Sequence, residues 1–242
     1  MIEAVSKLMR RVAAETILPR FYYLRPEDIG EKSSGEIVTA ADHEAEDLLG
    51  RGLLDLLPNS VVVGEEATAR QPDLRNRLKE GRRVWLVDPL DDTSNFVKGQ
   101  PHFAILVALV ESGETVASWM FDPLSDVMAI AQRGSGAFLA DRRIRTSQVV
   151  LTAQEMRGAI LTRFLPPDLR SRINRRSASI GTILPGLFCA GHEYPAVASG
   201  SEHFALFWRT EPWDHAAGVL FLSEAGGFAA RPVRPLVKPA LH

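Results

Sequence analysis

The apolar positions of the first hundred residues predict two helices followed by strands. Apolar residues of segment 2–21 recur along one face, which is typical of an amphipathic helix. Thr39 is spaced to cap a second helix, with Asp42 facing back across its first turn. The period then changes, because residues 61–63 (VVV) and 84–87 (VWLV) are short apolar runs rich in β-branched residues. Such runs are typical of buried strands.

The strand pattern continues and then gives way to an alternation of helices and strands. Segments 103–111 and 115–121 flank Ser112-Gly113-Glu114, which predicts a hairpin. We therefore expect helices packed on a largely antiparallel sheet in an N-terminal half, 1–145, and a layered α/β half in 146–242. Further strands are predicted at 127–132, 136–140, 158–162 and 204–208, a helix at 214–225, and a solvated helix face at 170–176.

Composition narrows the classes of function. The 242 residues are 45% hydrophobic, and 28 Lys and Arg against 30 Asp and Glu give a net charge of -2. We therefore expect neither a nucleic-acid surface nor an anionic-membrane surface. The single cysteine, Cys189, excludes an internal disulfide, and the N-terminus has charges where a secretory signal needs an apolar block. The apolar run 103–110 is too short to span a bilayer, so a cytoplasmic protein without a membrane is expected.

Acidic residues stand at the ends of the predicted strands and at the start of the last helix. Gly64-Glu65-Glu66 follows the first strand, the segment 88–96 (DPLDDTSNF) follows the second, and Trp213-Asp214 opens the helix. Ligands gather at strand ends in α/β proteins. If these acids converge they form an all-oxygen site, which suits Mg²⁺ first and Mn²⁺ second.

Each segment also has an ordinary structural interpretation. A Glu-Glu pair after a strand is usually a solvated loop, and an acid such as Asp214 is more often a helix N-cap than a ligand. The run Asp88-Pro89-Leu90-Asp91 consists of common turn residues. It is the three segments together, in this order, that are specific.

At these segments the chain resembles the inositol monophosphatase family. That family carries Gly-Glu-Glu, Asp-Pro-Ile/Leu-Asp-Gly-Thr-x-Asn-Phe and Trp-Asp-x-Ala-Ala-Gly in this order. The similarity extends upstream to Lys32 and to 36–42 (EIVTAAD), and downstream to 224–227 (EAGG). The resemblance implies the layered αβαβα sandwich of the inositol monophosphatase and fructose-1,6-bisphosphatase type, and a homodimer.

The resemblance also implies a mechanism and its residues. Two or three Mg²⁺ ions, with Mn²⁺ as a substitute, would activate a water that attacks a small phosphorylated metabolite. Asp42 would help to hold a third metal or its waters, and Glu65 and Thr93 would orient the attacking water. The backbone N–H groups near Asp92–Ser94 would bind phosphate oxygens. The metal ligands would be Glu65, Asp88, the carbonyl of Leu90, Asp91 and Asp214. The residues expected at the substrate are Asp91, Asp92, Thr93, Ser94, His192, Glu193 and Asp214.

Two departures from the family pattern bear on activity. Asp92 stands where the family has glycine. Like charges ~5 Å apart repel by roughly 3 kcal/mol at an effective dielectric of ~20. An inward Asp92 would therefore reduce the phosphatase activity without abolishing it, whereas an Asp92 that points to solvent would cost little. The second departure is the C-terminus, where Pro232, Pro235 and Pro239 argue against a regular central strand. By comparison with the family, the second half is expected to be shortened there.

The sequence leaves the substrate open. His192 and Glu193 could bond sugar or inositol hydroxyls, or could lie on a polar helix face. The acid that many members place shortly before Trp-Asp is not evident in 204–208, which puts myo-inositol phosphate in doubt. Histidinol phosphate, fructose bisphosphate and phosphoadenosine phosphate are alternatives. A different class of function is a catalytically weakened member that acts as a metal-binding regulatory or protein-interaction module.

Overall fold

The computed structural model describes residues 1–32 and 36–231. Within these ranges, every helix is either too short or too polar to cross a lipid bilayer. Pro232, Pro235 and Pro239 lie outside the described residues, so the expectation for the tail stays a prediction.

Two N-terminal helices form the first layer. The helix α1 (Ile2–Val12) buries one apolar face and continues as a π-helical turn, Ala13–Ile17, so the predicted helix is confirmed but its α-helical part is shorter. The helix α2 (Ala40–Leu56) begins at the predicted cap. The hydroxyl of Thr39 accepts a hydrogen bond from a backbone N–H of the first turn, while its own N–H donates to the helix's first acid.

A short hairpin and a seven-stranded sheet form the next layer. The hairpin pairs β1 (Ile29–Glu31) with β2 (Ile37–Thr39). The strands of the large sheet lie in chain order, the first two parallel and the rest antiparallel, which confirms the predicted hairpin and meander. They are β3 (Val61–Gly64), β4 (Val84–Asp91), β5 (Ala104–Glu111), β6 (Glu114–Asp122), β7 (Val127–Gln132), β8 (Gly136–Leu139) and β9 (Arg142–Ile144). Every residue of β4 is buried, because helices cover both faces of the sheet.

The remaining elements complete the layers. A parallel three-stranded sheet has the order β11-β10-β12. Its strands are β10 (Arg157–Ile160), β11 (Thr182–Leu184) and β12 (Phe204–Leu206), and the later helices are α3 (Glu65–Arg70), α4 (Thr93–Val97), α5 (Pro167–Ser177), α6 (Ala190–Ser199) and α7 (Pro212–Glu224). Helices α6 and α7 pack on the large sheet opposite α1 and α2, while α5 packs its apolar face beside β10. The predicted layered α/β arrangement is confirmed.

The two halves of the chain share one apolar core. The large sheet belongs wholly to the first half and the small sheet to the second. Helices α6 and α7 nevertheless bury Tyr194, Trp213 and Phe221 against strands β4 to β7. The boundary near residue 145 thus falls between the two sheets, and the division into halves stays a prediction.

Candidate active site

Three acidic side chains from three elements converge at one edge of the large sheet. Glu65 opens α3, Asp88 lies near the end of β4, and Asp214 is in the first turn of α7. One carboxylate oxygen from each of them lies within 4.8 Å of the others. Because β3 and β4 are parallel neighbours, their carboxyl ends reach the same edge, and α7 adds its N-terminal turn.

Glycine 64 lets Glu65 reach this edge. A Cβ at position 64 would collide with the carboxylate of Glu46, which stands directly behind it. Glu46 is buried in α2 and accepts hydrogen bonds from the backbone N–H groups of Glu66 (2.8 Å) and Ala67 (2.7 Å). The Glu46 carboxylate, although remote in sequence, therefore caps the N-terminus of α3 and fixes the direction of the Glu65 side chain.

Burial and mutual repulsion raise the pKa values of the clustered acids. The pKa of Asp88 and that of Asp214 are held well above their ordinary values by burial first and then by the charge of Glu65. Burial also raises the pKa of Asp91 to about 7, against the effect of the groups that donate to it. Buried carboxylates this close together favour a bound cation, which reverses the local charge.

Lys32 is the cation that the chain itself brings to the cluster. Its Nζ lies 2.6 Å from Oε1 of Glu65 and 2.6 Å from Oε1 of Glu66. Burial alone would lower the pKa of Lys32, but the two carboxylates together hold it above its ordinary value. At Glu66, burial and the charge of Glu65 outweigh the lysine and raise the pKa to about 8. Lys32 is therefore an ion-pair partner of both glutamates.

Asp42 reaches the site through Thr93. Its Oδ2 accepts from the N–H (2.8 Å) and the hydroxyl (2.5 Å) of Thr39, and its Oδ1 accepts from the Thr93 hydroxyl at 2.8 Å. Burial raises the pKa of Asp42 to about 6. The Thr93 hydroxyl also lies 3.2 Å from the carbonyl oxygen of Leu90. Thr93 lines the cleft, while Asp42 lies behind it and fixes its orientation.

Asp91 connects the edge of the large sheet to α6. Its Oδ2 accepts from the backbone N–H of Gly191 at 2.8 Å and from the thiol of Cys189 at 3.1 Å. Asp88 in turn accepts from the N–H of Leu90 at 3.0 Å. These bonds hold the loop between the two acids in one conformation, so its carbonyl and carboxylate oxygens have fixed positions.

The acids open into a cleft of about 450 Å³. This volume suits a small metabolite. Asp92, Thr93 and Ser94, which the sequence analysis expects at the substrate, lie on its wall. The cleft also has cationic and aromatic walls that sequence reasoning missed. They are formed by Lys32, Arg75, Arg163, Arg209, Phe164, Phe188 and Trp213.

Asp92 does not stand as an isolated charge. Its backbone is left-handed (φ 60°, ψ 64°), and its carboxylate accepts from the N–H of Asn95 at 3.0 Å. Arg163 donates to both carboxylate oxygens, at 3.0 and 2.9 Å. The repulsion expected from the sequence is therefore offset by a bidentate ion pair.

The structure does not bring His192 and Glu193 into the cleft. Glu193 is 0% exposed, and its Oε1 accepts from the N–H of Leu187 at 2.5 Å. His192 Nε2 lies 3.2 Å from the carbonyl oxygen of Phe103. The turn of α6 that carries them faces the protein interior, so we leave both residues out of the proposed site.

The arginines of the cleft gave no signal in the sequence, because their partners are remote along the chain. Arg75 pairs with Glu211 at 2.9 Å and lies over the Trp213 ring. Arg209 pairs with Glu36 across the cleft. Neither pair has a short sequence spacing from which it could be predicted.

The donor set fits a hard divalent cation. The converging groups are carboxylate oxygens, and Leu90 lies on the cleft wall beside them. Oxygen-only donors favour Mg²⁺ or Mn²⁺ over metals that prefer nitrogen or sulfur. The raised pKa values of these acids also favour a bound cation, because the clustered carboxylates carry more negative charge than Lys32 alone offsets.

Comparison with known proteins gives one consistent family. The model of the inositol monophosphatase family matches residues 1–232. Inositol-1-monophosphatase of Rhizobium meliloti is 31% identical over 237 residues, which cover 95% of this chain and 83% of the relative. Nus factor SuhB of Xylella fastidiosa is 30% identical over 227 residues, 90% of this chain and 77% of the relative. The crystal structure of extragenic suppressor protein suhB from Bartonella henselae superposes with a TM-score of 0.77 at 29% identity, covering 94% of this chain and 84% of that one.

Proposed function

Because the chain belongs to the inositol monophosphatase family, we propose that it hydrolyses the phosphate monoester of a small metabolite with bound Mg²⁺. The observation that carries the proposal is the convergence of Glu65, Asp88 and Asp214 in a cleft that also contains Thr93. A family match alone gives the fold, whereas this arrangement supports the proposed chemistry.

The metal ligands in this proposal are carboxylates and one carbonyl. Glu65, Asp88 and Asp214 form the closest group, and Asp91 and Leu90 line the same cleft. Bound Mg²⁺ would lower the pKa of a water molecule and offset the charge of the phosphate dianion. Mn²⁺ would serve the same oxygen ligands.

Thr93 and Glu65 would position the attacking water. The Thr93 hydroxyl donates its hydrogen to Asp42, which leaves its oxygen lone pairs free to accept from a water molecule. Glu65 is held at the other side of the cleft by Lys32 and by the start of α3. Positioning of this kind raises the rate by fixing the line of attack rather than by forming a covalent intermediate.

The phosphate group would lie at the start of α4. The first N–H groups of a helix have no partner within the helix, and those of Thr93 and Ser94 belong to this set. The carboxylate of Asp92 takes the N–H of Asn95 instead. Asp92 therefore competes for a different N–H group than those proposed for the phosphate oxygens.

The mouth of the cleft supports a polyol or sugar part on the leaving alcohol. The pairs of Arg75 with Glu211 and of Arg209 with Glu36 present donors and acceptors together. Hydroxyl groups of a sugar or cyclitol bond to both kinds of group.

A phosphate-release screen with Mg²⁺ over metabolite phosphates tests the proposal. The panel should contain inositol, histidinol, fructose and phosphoadenosine phosphates. We expect Mg²⁺-dependent release from at least one of them, and its loss in Asp91→Asn. Asp55→Asn, a change of an exposed acid on α2, is the matched control and should keep the wild-type rate.

A binding or regulatory role is the second candidate. The observation that favours it is the name of the relative from Xylella fastidiosa, Nus factor SuhB. That relative is 30% identical to this chain, and inositol-1-monophosphatase of Rhizobium meliloti is 31% identical. No Mg²⁺-dependent release from any phosphate of the panel, together with Mg²⁺ binding, would move the assignment to this role. The homodimer stays a prediction that light scattering after size-exclusion chromatography would measure.

A further inference from the structure

We propose that Arg163 is a positioning residue of this cleft, which makes the buried charge of Asp92 compatible with a bound phosphate. This inference rests on the proposed function, since it assigns a role to a residue of the same site. It differs from the expectation that Asp92 simply weakens the site. The two residues would act as one unit, with the arginine required only because the aspartate is present.

The backbone at Asp92 fixes the direction of its side chain. A left-handed residue at φ 60° is uncommon outside glycine, although Asp and Asn tolerate it better than other residues. The bond from the N–H of Asn95 holds the carboxylate against the first turn of α4. The Asp92 side chain is 1% exposed, so water cannot screen its charge.

Arg163 supplies the missing positive charge with the geometry that a carboxylate requires. Its two terminal nitrogens donate to separate oxygens of Asp92, at 3.0 and 2.9 Å. Such a fork is specific to arginine, because lysine offers only a point charge. Both residues line the cleft beside Asp91, so the ion pair lies within the site.

The same guanidinium also contacts Phe188, another lining residue of the cleft. It lies over the Phe188 ring, with 4.4 Å between Cζ and the ring centroid. Phe188 is also left-handed (φ 63°), and the preceding carbonyl of Leu187 accepts from Nδ2 of Asn95 at 2.9 Å. Arg163 and Asn95 therefore both connect the segment 187–188 to the start of α4.

Loss of Arg163 would leave an uncompensated charge beside the phosphate position. Arg163→Met keeps an unbranched apolar side chain of comparable reach but removes the donors. We expect the Kd of inorganic phosphate, measured by calorimetry with saturating Mg²⁺, to rise at least tenfold, equivalent to about 1.4 kcal/mol. For the best ester substrate, the rise should be in KM, with kcat within about threefold of the wild type.

A second change at Asp92 separates this role from direct contact with phosphate. Asp92→Gly removes the charge at a backbone conformation that glycine adopts freely. The double variant Asp92→Gly/Arg163→Met should return the Kd of phosphate to within about threefold of the wild type. If the double variant binds phosphate as weakly as Arg163→Met, the arginine contacts the phosphate itself and the inference is wrong.

Controls keep the test independent of folding and of turnover. Arg20→Met removes another arginine–carboxylate pair outside the cleft, in which one nitrogen of Arg20 donates to both oxygens of Glu44 (2.8 and 2.9 Å), and it should leave the Kd unchanged. If Arg163→Met does not fold, Arg163→Lys should raise the Kd about threefold, and Asp92→Gly should abolish that rise. An unchanged Kd in the arginine variant would overturn the inference.

The outcomes for the inference and for the proposed function are distinct. A wild-type protein that binds phosphate but hydrolyses no ester would refute the phosphatase and leave the inference intact. An active enzyme whose Arg163 variants bind phosphate with the wild-type Kd would leave the phosphatase assignment intact and refute the inference. A wild type that does not bind phosphate with Mg²⁺ present would overturn the inference.

Discussion

Replacement of Thr93 by valine tests how the site positions its water. Valine keeps the shape of threonine and removes the hydroxyl. In the structure this hydroxyl donates to Oδ1 of Asp42 at 2.8 Å, and Asp42 is 1% exposed. Thr93→Val therefore removes a hydrogen bond to a buried carboxylate and, in the proposed mechanism, an acceptor for the attacking water.

The magnitude follows from burial and from the role of the hydroxyl. A buried acceptor left without its donor costs about 1–3 kcal/mol. For a chain of this length that corresponds to a fall in Tm of about 4–8 °C for each 2 kcal/mol. Loss of one positioned group in a water-excluded site lowers kcat by about 10²–10³-fold. Thermal unfolding and steady-state phosphate release would measure the two effects separately.

Thr68 provides the matched control for the stability effect. Its hydroxyl is also buried, in a residue 2% exposed, but has no hydrogen-bond partner among the residues that the structure describes. Thr68→Val should be within about 0.5 kcal/mol of the wild type or more stable, because an unpaired polar group is removed. The reasoning is refuted if Thr93→Val keeps the wild-type kcat, or if Thr68→Val loses as much stability as Thr93→Val.

The structure makes further predictions. Without metal, the free energy of unfolding should fall as pH rises from 5 to 8. Burial raises the pKa of Asp42 to about 6 and that of Glu66 to about 8, so the folded state binds more protons than the unfolded chain, and this stability is lost as each group ionises. Urea titrations at several pH values would measure the fall, and an increase would contradict it. Mg²⁺ should raise Tm more at pH 8 than at pH 6, and Asp214→Asn should lose most of this rise in a thermal-shift assay. Gly64→Ala should cost about 1–3 kcal/mol of stability because its Cβ meets a carboxylate, whereas Gly50→Ala, whose Cβ would lie 4.0 Å from its nearest neighbour, should stabilise α2 by up to about 1 kcal/mol. Equal effects of the two alanines in chemical denaturation would contradict this account.

Features fixed by local chemistry could be predicted from the sequence. The capping of α2 by Thr39 and Asp42 depends on residues three apart, and the buried strand β4 on a continuous apolar run. The acids that follow β3 and β4 converge because neighbouring parallel strands end at one edge. The parallel pairing of β3 and β4 therefore brings together acids that the sequence pattern identifies separately.

Contacts between distant segments could not be predicted in this way. Asp92 and Arg163 are 71 residues apart, and no spacing rule connects them. The orientation of α6 could not be predicted either, because nothing in the sequence shows which face of this helix is buried. Glu193 lies on the interior face, where its pKa is raised to about 7 by burial, whereas the sequence left a substrate contact and a polar helix face both open.

The location of the bound metal tests the central claim most directly. Crystals of the protein soaked with Mn²⁺ would show bound ions by their anomalous scattering. We expect at least one strong peak at about 2.1 Å from carboxylate oxygens of Glu65, Asp88 and Asp214, and its loss in Asp88→Asn. An anomalous map without a peak at these carboxylates, from crystals at neutral pH and saturating Mn²⁺, would contradict the claim that this cleft is a metal-dependent active site.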